Sequence, residues 1–157
     1  MKIGRIVLPC AFCLLFFFLC QPIAFSAELT VGERRRIESG AISAFEAIVS
    51  LWKSERFDEI YEYGDKISRE MMPREKFASE MRISWCVLAS SWETIRDIEA
   101  KVISPTRAQV KARMGFEKRG WGEARFFTQV FSMTLDKGEW RIALHKLLHC
   151  PWMDLPP

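Results

Sequence analysis

The apolar residues of this chain change their spacing once, and that change constrains the fold more than any other feature. Ile37, Ala41, Ala44, Ile48 and Leu51 follow at steps of four, three, four and three, with Phe45 and Trp52 beside them. Such spacing lines one face of an amphipathic helix, expected over residues 31–55. Thr30, with Glu33 three positions on, reads as its capping box, and Gly40 weakens the helix without breaking it. A short second helix is expected over residues 57–63, stopped by Gly64. A third opens with Pro73 as a first-turn residue and runs through Phe77 and Met81.

Farther along, the period is two. Ile98, Ala100 and Val102 alternate with Asp97, Glu99 and Lys101. After Ser104-Pro105-Thr106, the residues Ala108, Val110, Ala112, Met114 and Phe116 alternate with Gln109, Lys111 and Arg113. A turn at Gly120 and Gly122 leads into a strand over residues 124–135. Asp136-Lys137-Gly138 makes a tight turn, and Trp140, Ile142, Leu144 and Leu148 alternate to the end. Residues 83–92 carry no assignable pattern. Helices first and turn-linked strands afterwards specify an α+β domain, with N-terminal helices packed on a curved antiparallel sheet.

Residues 1–26 read as an export signal and residues 27–157 as one domain. Lys2 and Arg5 precede an apolar run from Ile6 to Cys20, too short to cross a bilayer, and Ala24 and Ser26 are small enough to set a cut before Ala27. An uncleaved anchor is the alternative reading; a lipid-modified Cys20 is disfavoured by bulky Phe17-Phe18-Leu19. The expected location is periplasmic or secreted, with membrane contact only through this segment. Cys10, Cys13 and Cys20 leave with it, so Cys86 and Cys150 remain as the expected disulfide of an oxidising compartment. A metal site built from His145, His149 and the same two cysteines is the competing reading. No cofactor is expected.

Lys2 and Arg5 also leave, so 21 bases face 20 acids and the mature chain carries +1. That balance gives no general attraction to nucleic acid or anionic lipid. Arg34-Arg35-Arg36, flanked by Glu33 and Glu38, reads as a solvated helix face.

Three segments resemble a known family. They are Arg56-Phe57-Asp58-Glu59-Ile60-Tyr61 behind the long first helix, the helix opening Pro73-Arg74-Glu75-Lys76-Phe77, and the hairpin Asp136-Lys137-Gly138-Glu139-Trp140-Arg141-Ile142. Together they resemble the nuclear transport factor 2-like superfamily, the cystatin-like, cone-shaped α+β barrel shared by ketosteroid isomerase and polyketide cyclases. The hairpin is the most specific of the three, and the likeness spans nearly all of the mature chain. It implies a sheet curled around helices, with an apolar pocket open at one end. Members are enzymes, dimerisation modules or small-ligand binders, so the fold does not select among them. The family's short strand between the second and third helices is not evident here.

Most titratable residues alternate away from the expected hollow, which argues against an enzyme. Tyr61, Tyr63, Asp65, Thr128 and Lys146 remain near its mouth, and none has a partner by spacing. An isomerase or cyclase would need Asp65, Tyr61 or His145 inside the cavity. The residues expected to line a ligand pocket are Tyr61, Trp85, Trp92, Trp121, Thr128 and Trp140. The strand over residues 124–135 is apolar on both faces, so Phe127, Phe131 and Met133 are expected either to project toward a second subunit in a dimer or, where the sheet curls over both sides, to enter the core. The reading is therefore a non-catalytic domain that binds an apolar small molecule or a partner protein.

Overall fold

The computed structural model describes residues 29–90, 94–119 and 124–154. The expected signal segment, Trp92, Trp121 and the turn at Gly120 and Gly122 lie outside the described residues. Helix α1 spans Val31–Lys53 and buries Ile37, Ala41, Phe45, Ile48, Val49 and Trp52. Its capping box is complete: Glu33 N–H donates to Thr30 Oγ1, while Thr30 N–H and the Thr30 hydroxyl donate to Glu33 Oε2 at 2.9 and 2.7 Å. Those bonds hold the Glu33 carboxyl below the ordinary carboxylate range, the Thr30 hydroxyl contributing most. Gly40 earns its place by contact, since a Cβ there would lie 2.7 Å from Trp140 Nε1.

The second segment divides into helix α2, Phe57–Ile60, and a 3-10 turn, Tyr61–Tyr63. Gly64 then bridges Ile142 in parallel, and Asp65 N–H donates to Ile142 O at 2.9 Å. A Cβ at Gly64 would stand 2.7 Å from Leu144 Cδ1 and 2.9 Å from the Tyr61 carbonyl, so the close approach needs glycine. Asp65 caps helix α3, Lys66–Met71, by accepting from Ser68 N–H at 2.7 Å. Periodicity does not reveal α3, because Ile67 and Met71 face solvent and leave no amphipathic stripe. Helix α4, Arg74–Ile83, buries Phe77, Ala78 and Met81; Pro73 is its N-cap rather than a residue of its first turn.

Strands β1 (Cys86–Leu88), β2 (Ile95–Ser104), β3 (Arg107–Lys118), β4 (Ala124–Asp136) and β5 (Glu139–Ile142) form one antiparallel sheet, curled into a half-barrel. β1 and β2 share one edge of β3, so a strand occupies part of the stretch without sequence pattern. Between Arg96 and Glu99, β2 carries one residue more than β3 opposite it, and Asp97 has φ 50°. That bulge bends the strand and helps the sheet curl. Lys137 at φ 50° and Gly138 at φ 85° make the two-residue turn from β4 to β5.

Ala108, Val110, Ala112, Met114 and Phe116 of β3 are all buried, as their alternation predicts. The readings of the last two strands need correction. Phe131 and Met133 are buried and Phe127 is half-buried against the same core, under α1 and Trp152, instead of facing a second subunit. The other face of β4 carries Phe126, Thr128, Val130, Ser132 and Thr134. β5 ends at Ile142, and Leu144 is the N-cap of a helical turn, α5, His145–Leu148, that carries Leu147 and Leu148. Steps of three and four among those leucines fit a helix, which removes His145 and Lys146 from any strand. A 3-10 turn, Pro151–Asp154, follows. The Cys86–Cys150 disulfide ties this tail to β1 across 64 positions, and its presence is consistent with an oxidising compartment.

Candidate binding clefts

The concave side of the half-barrel is filled by the chain's own side chains. Phe45 stacks on Phe131 with ring centroids 4.8 Å apart. Trp52, Phe116, Phe127 and Trp152 continue as a chain of contacts at 6.1, 6.2 and 5.5 Å. Trp152 closes the row because the disulfide anchors the turn that carries it. Lys118 Nζ and the Arg125 guanidinium lie 4.7 and 4.8 Å from its indole. Among the described residues, the buried Trp152 indole N–H has no acceptor.

Space opens instead in surface clefts. One, of about 380 Å³, lies where the end of α1 meets α4 and β1. Trp52, Phe57, Met81 and Leu88 make its apolar wall, and Lys53, Glu55, Glu117 and Arg119 its charged rim. Arg119 is held there because Nε and Nη2 donate to the Ser84 and Arg82 carbonyls at 3.3 and 3.1 Å. Those bonds also satisfy carbonyls at the C-terminal end of α4. The periodicity marked Trp52, Phe57 and Met81 only as core, and nothing in the local sequence ties Arg119 to α4.

A second cleft, of about 630 Å³, runs beside α1 between Ser43, Ala44 and Ala47 on one wall and Tyr63, Trp140 and Arg141 on the other. Its side chains are small along α1, which leaves the room the cleft occupies. Arg141 donates to the Glu62 carbonyl and to Glu139, bracing β5 against the segment before Gly64.

The expected lining residues are not gathered around one cavity. Tyr61 is buried in the core, and its hydroxyl is 3.1 Å from the Arg69 carbonyl and 2.9 Å from that of Met72, where it serves as their donor. Trp85 is 45% exposed at the lead into β1, and Thr128 is exposed on the convex face opposite Arg113. Trp140 reaches the cleft beside α1 from its seat on Gly40, and Trp85 lines a separate cleft between the end of α4 and the C-terminal turn. Trp92 and Trp121 lie outside the described residues. Asp65 is a helix cap and His145 sits on an exposed helical turn, so the three candidate residues for an isomerase do not converge on a cavity.

The metal reading dissolves in the same geometry. Both cysteines are in the disulfide, and His149 Nε2 is 2.9 Å from Asp154 Oδ2. Among the described residues no group of three or more His, Cys, Asp or Glu side chains could hold a metal ion. No family model matches the chain, and no curated protein sequence matches it either.

Proposed function

We propose that this chain is an exported, non-catalytic domain of the nuclear transport factor 2-like kind that binds a partner protein. The observation that carries the reading is the occupied hollow: Phe45, Phe131, Trp52, Phe116, Phe127 and Trp152 fill the space where relatives of that architecture would admit a ligand. Shallow clefts with apolar walls and charged rims suit side chains offered by another protein surface. A second reading, an apolar small molecule in the cleft beside Trp52, draws on its volume of about 380 Å³ and its apolar wall. Export through residues 1–26 would deliver the chain to a compartment where the disulfide persists.

The test is site-specific photocrosslinking in the native host, with the reactive side chain placed at Ala47 or Lys53 and, as a control, at Arg34. A discrete protein adduct from the two cleft positions and none from the control is expected. Thermal-shift screening that yields an apolar compound bound beside Trp52, with no protein adduct, would transfer the assignment to the second reading. N-terminal sequencing of the exported protein should begin at Ala27, and full-length cytoplasmic protein would remove the export proposal.

A further inference from the structure

The tail that closes the aromatic row is fastened covalently at one point. Cys150 is bonded to Cys86 at the start of β1, and the 3-10 turn Pro151–Asp154 follows at once. Among the described residues, the hydrogen bonds made by residues 149–154 stay within the tail. Met153 N–H donates to the Cys150 carbonyl at 3.1 Å, and His149 Nε2 meets Asp154 Oδ2 at 2.9 Å. Burial of Trp152 against Phe127, with Lys118 and Arg125 beside its indole, holds the rest. That closed seat has a cost, since the buried indole N–H lacks an acceptor among the described residues and would regain water on leaving.

The bond also has an approach. A cleft of about 320 Å³ between the end of α4 and the C-terminal turn is lined by Cys150 together with Ile83, Trp85, Leu148 and Met153. Three of these large apolar side chains face water: Ile83 is 77% exposed, Met153 64% and Trp85 45%. Cys86 and Cys150 are themselves buried, so exchange depends on an attacking thiol brought into the cleft that Cys150 lines. An apolar rim around a disulfide names its occupant by chemistry: a protein with a thiol pair and an apolar contact surface.

We propose that the Cys86–Cys150 bond is a redox latch, opened by a dithiol protein that docks on Ile83, Trp85 and Met153, and that opening withdraws Trp152 from the hollow. The partner's thiolate attacks Cys150 Sγ. A partner–Cys150 disulfide forms as the Cys86–Cys150 bond breaks, and Cys86 leaves as a thiolate that takes up the proton shed by the partner. The partner's second thiolate then attacks the partner's own sulfur in the mixed disulfide, and Cys150 leaves as the second thiol with the second proton. Two electrons pass to this chain, and the partner departs as a disulfide. The freed tail uncovers Phe127 and, behind it, Phe116, so a filled hollow becomes an open apolar one. The latch shares no residue with the clefts beside Trp52 and α1, so either assignment can fail without the other.

The experiment reduces the exported chain with two probes: reduced thioredoxin, a dithiol protein, and dithiothreitol, a dithiol without a docking surface. Alkylation and mass spectrometry follow the release of the Cys86 and Cys150 thiols. Ile83→Ser/Met153→Ser, two exposed changes, should slow thioredoxin about tenfold, the scale of a lost interface anchor, and leave dithiothreitol within about twofold. Ile67→Ser/Met71→Ser removes exposed apolar area from α3 instead and should alter neither rate. Failure of thioredoxin to reduce the parent, or equal slowing of both probes, would overturn the docking surface. Opening is read from the NMR signal of the Trp152 indole N–H, assigned with Trp152→Phe. In the reduced chain it should move to the position of a solvated indole while the β3 and β4 signals stay dispersed, and anilinonaphthalene sulfonate fluorescence should rise several-fold. Cys86→Ala/Cys150→Ala should show the same indole position without any reductant. An indole that stays in place, or loss of the whole sheet on reduction, would make the bond a structural staple and overturn the latch. Sedimentation that reveals a dimer broken by Ile83→Ser/Met153→Ser would assign the patch to a second copy.

Discussion

Replacing both cysteines, Cys86→Ala with Cys150→Ala, should cost the fold about 4 kcal/mol. In the chain-entropy account a cross-link spanning 64 positions removes about 14–15 cal/mol/K from the unfolded ensemble, which at 25 °C is about 4.3 kcal/mol. Alanine is the appropriate replacement because both cysteines are buried, and a serine hydroxyl would add an unsatisfied group costing about 1–3 kcal/mol of its own. With roughly 125 folded residues, each contributing about 2.1 cal/mol/K to the entropy of unfolding, the melting temperature should fall by about 15 °C. Urea titration of the oxidised parent and the variant gives the free energy directly. The variant should also show a steeper denaturant dependence, because its unfolded chain is no longer looped and exposes more surface. A loss under about 1 kcal/mol with equal slopes would refute the reasoning. So would mass spectrometry finding two free thiols in the exported protein.

Other changes probe local contacts. Gly64→Ala should destabilise by about 1–3 kcal/mol in urea melts, since its Cβ meets the Tyr61 carbonyl as well as Leu144; a neutral result would mean that the Gly64–Ile142 approach is looser than described. Phe131→Ala should cost about 3–5 kcal/mol, because it empties the space beneath Phe45, and a value near that of an exposed truncation would return this residue to an outer face. Thr30→Ala should cost about 1 kcal/mol through loss of the α1 cap. Glu33 has a lowered pKa in the folded chain, so its contribution is present above the unfolded carboxylate pKa and is lost as pH falls through the lower folded value. NMR titration should therefore find the Glu33 carboxyl titrating below the ordinary glutamate value, and in Thr30→Ala that lowering should shrink without vanishing, because the backbone N–H at position 30 and Arg36 remain.

Much of this architecture was legible because it rests on near-neighbour rules. Thr30 and Glu33 announced the start of α1, and the two-residue alternation of β3 named the buried side of that strand residue by residue. Asp136-Lys137-Gly138 placed the final hairpin through the positive φ that Gly138 accepts readily. The disulfide followed from counting, once three cysteines were assigned to the signal segment. The proposed site was far less legible. Among the described residues the expected lining is divided among the core, the convex face and two separate clefts, because a residue's identity does not reveal which element will cover it.

Periodicity says that a strand has two faces and a helix has a stripe; it does not say what will lie against them. β4 carries apolar residues on both sides, Phe126 and Val130 on one and Phe127, Phe131 and Met133 on the other, and only the passage of α1 over Phe131, with Trp152 over Phe127, made the second side the interior. The leucines after Ile142 satisfy a short strand or a helical turn equally well until Leu144 must pack against Gly64. The seat of Trp152 on Phe127 depends on a cross-link across 64 positions, which is not a local property of the chain. Sequence thus determined the long elements and their polar and apolar sides, while long-range packing placed the short ones and decided which apolar side became core, because burial is settled by whatever segment arrives to exclude water.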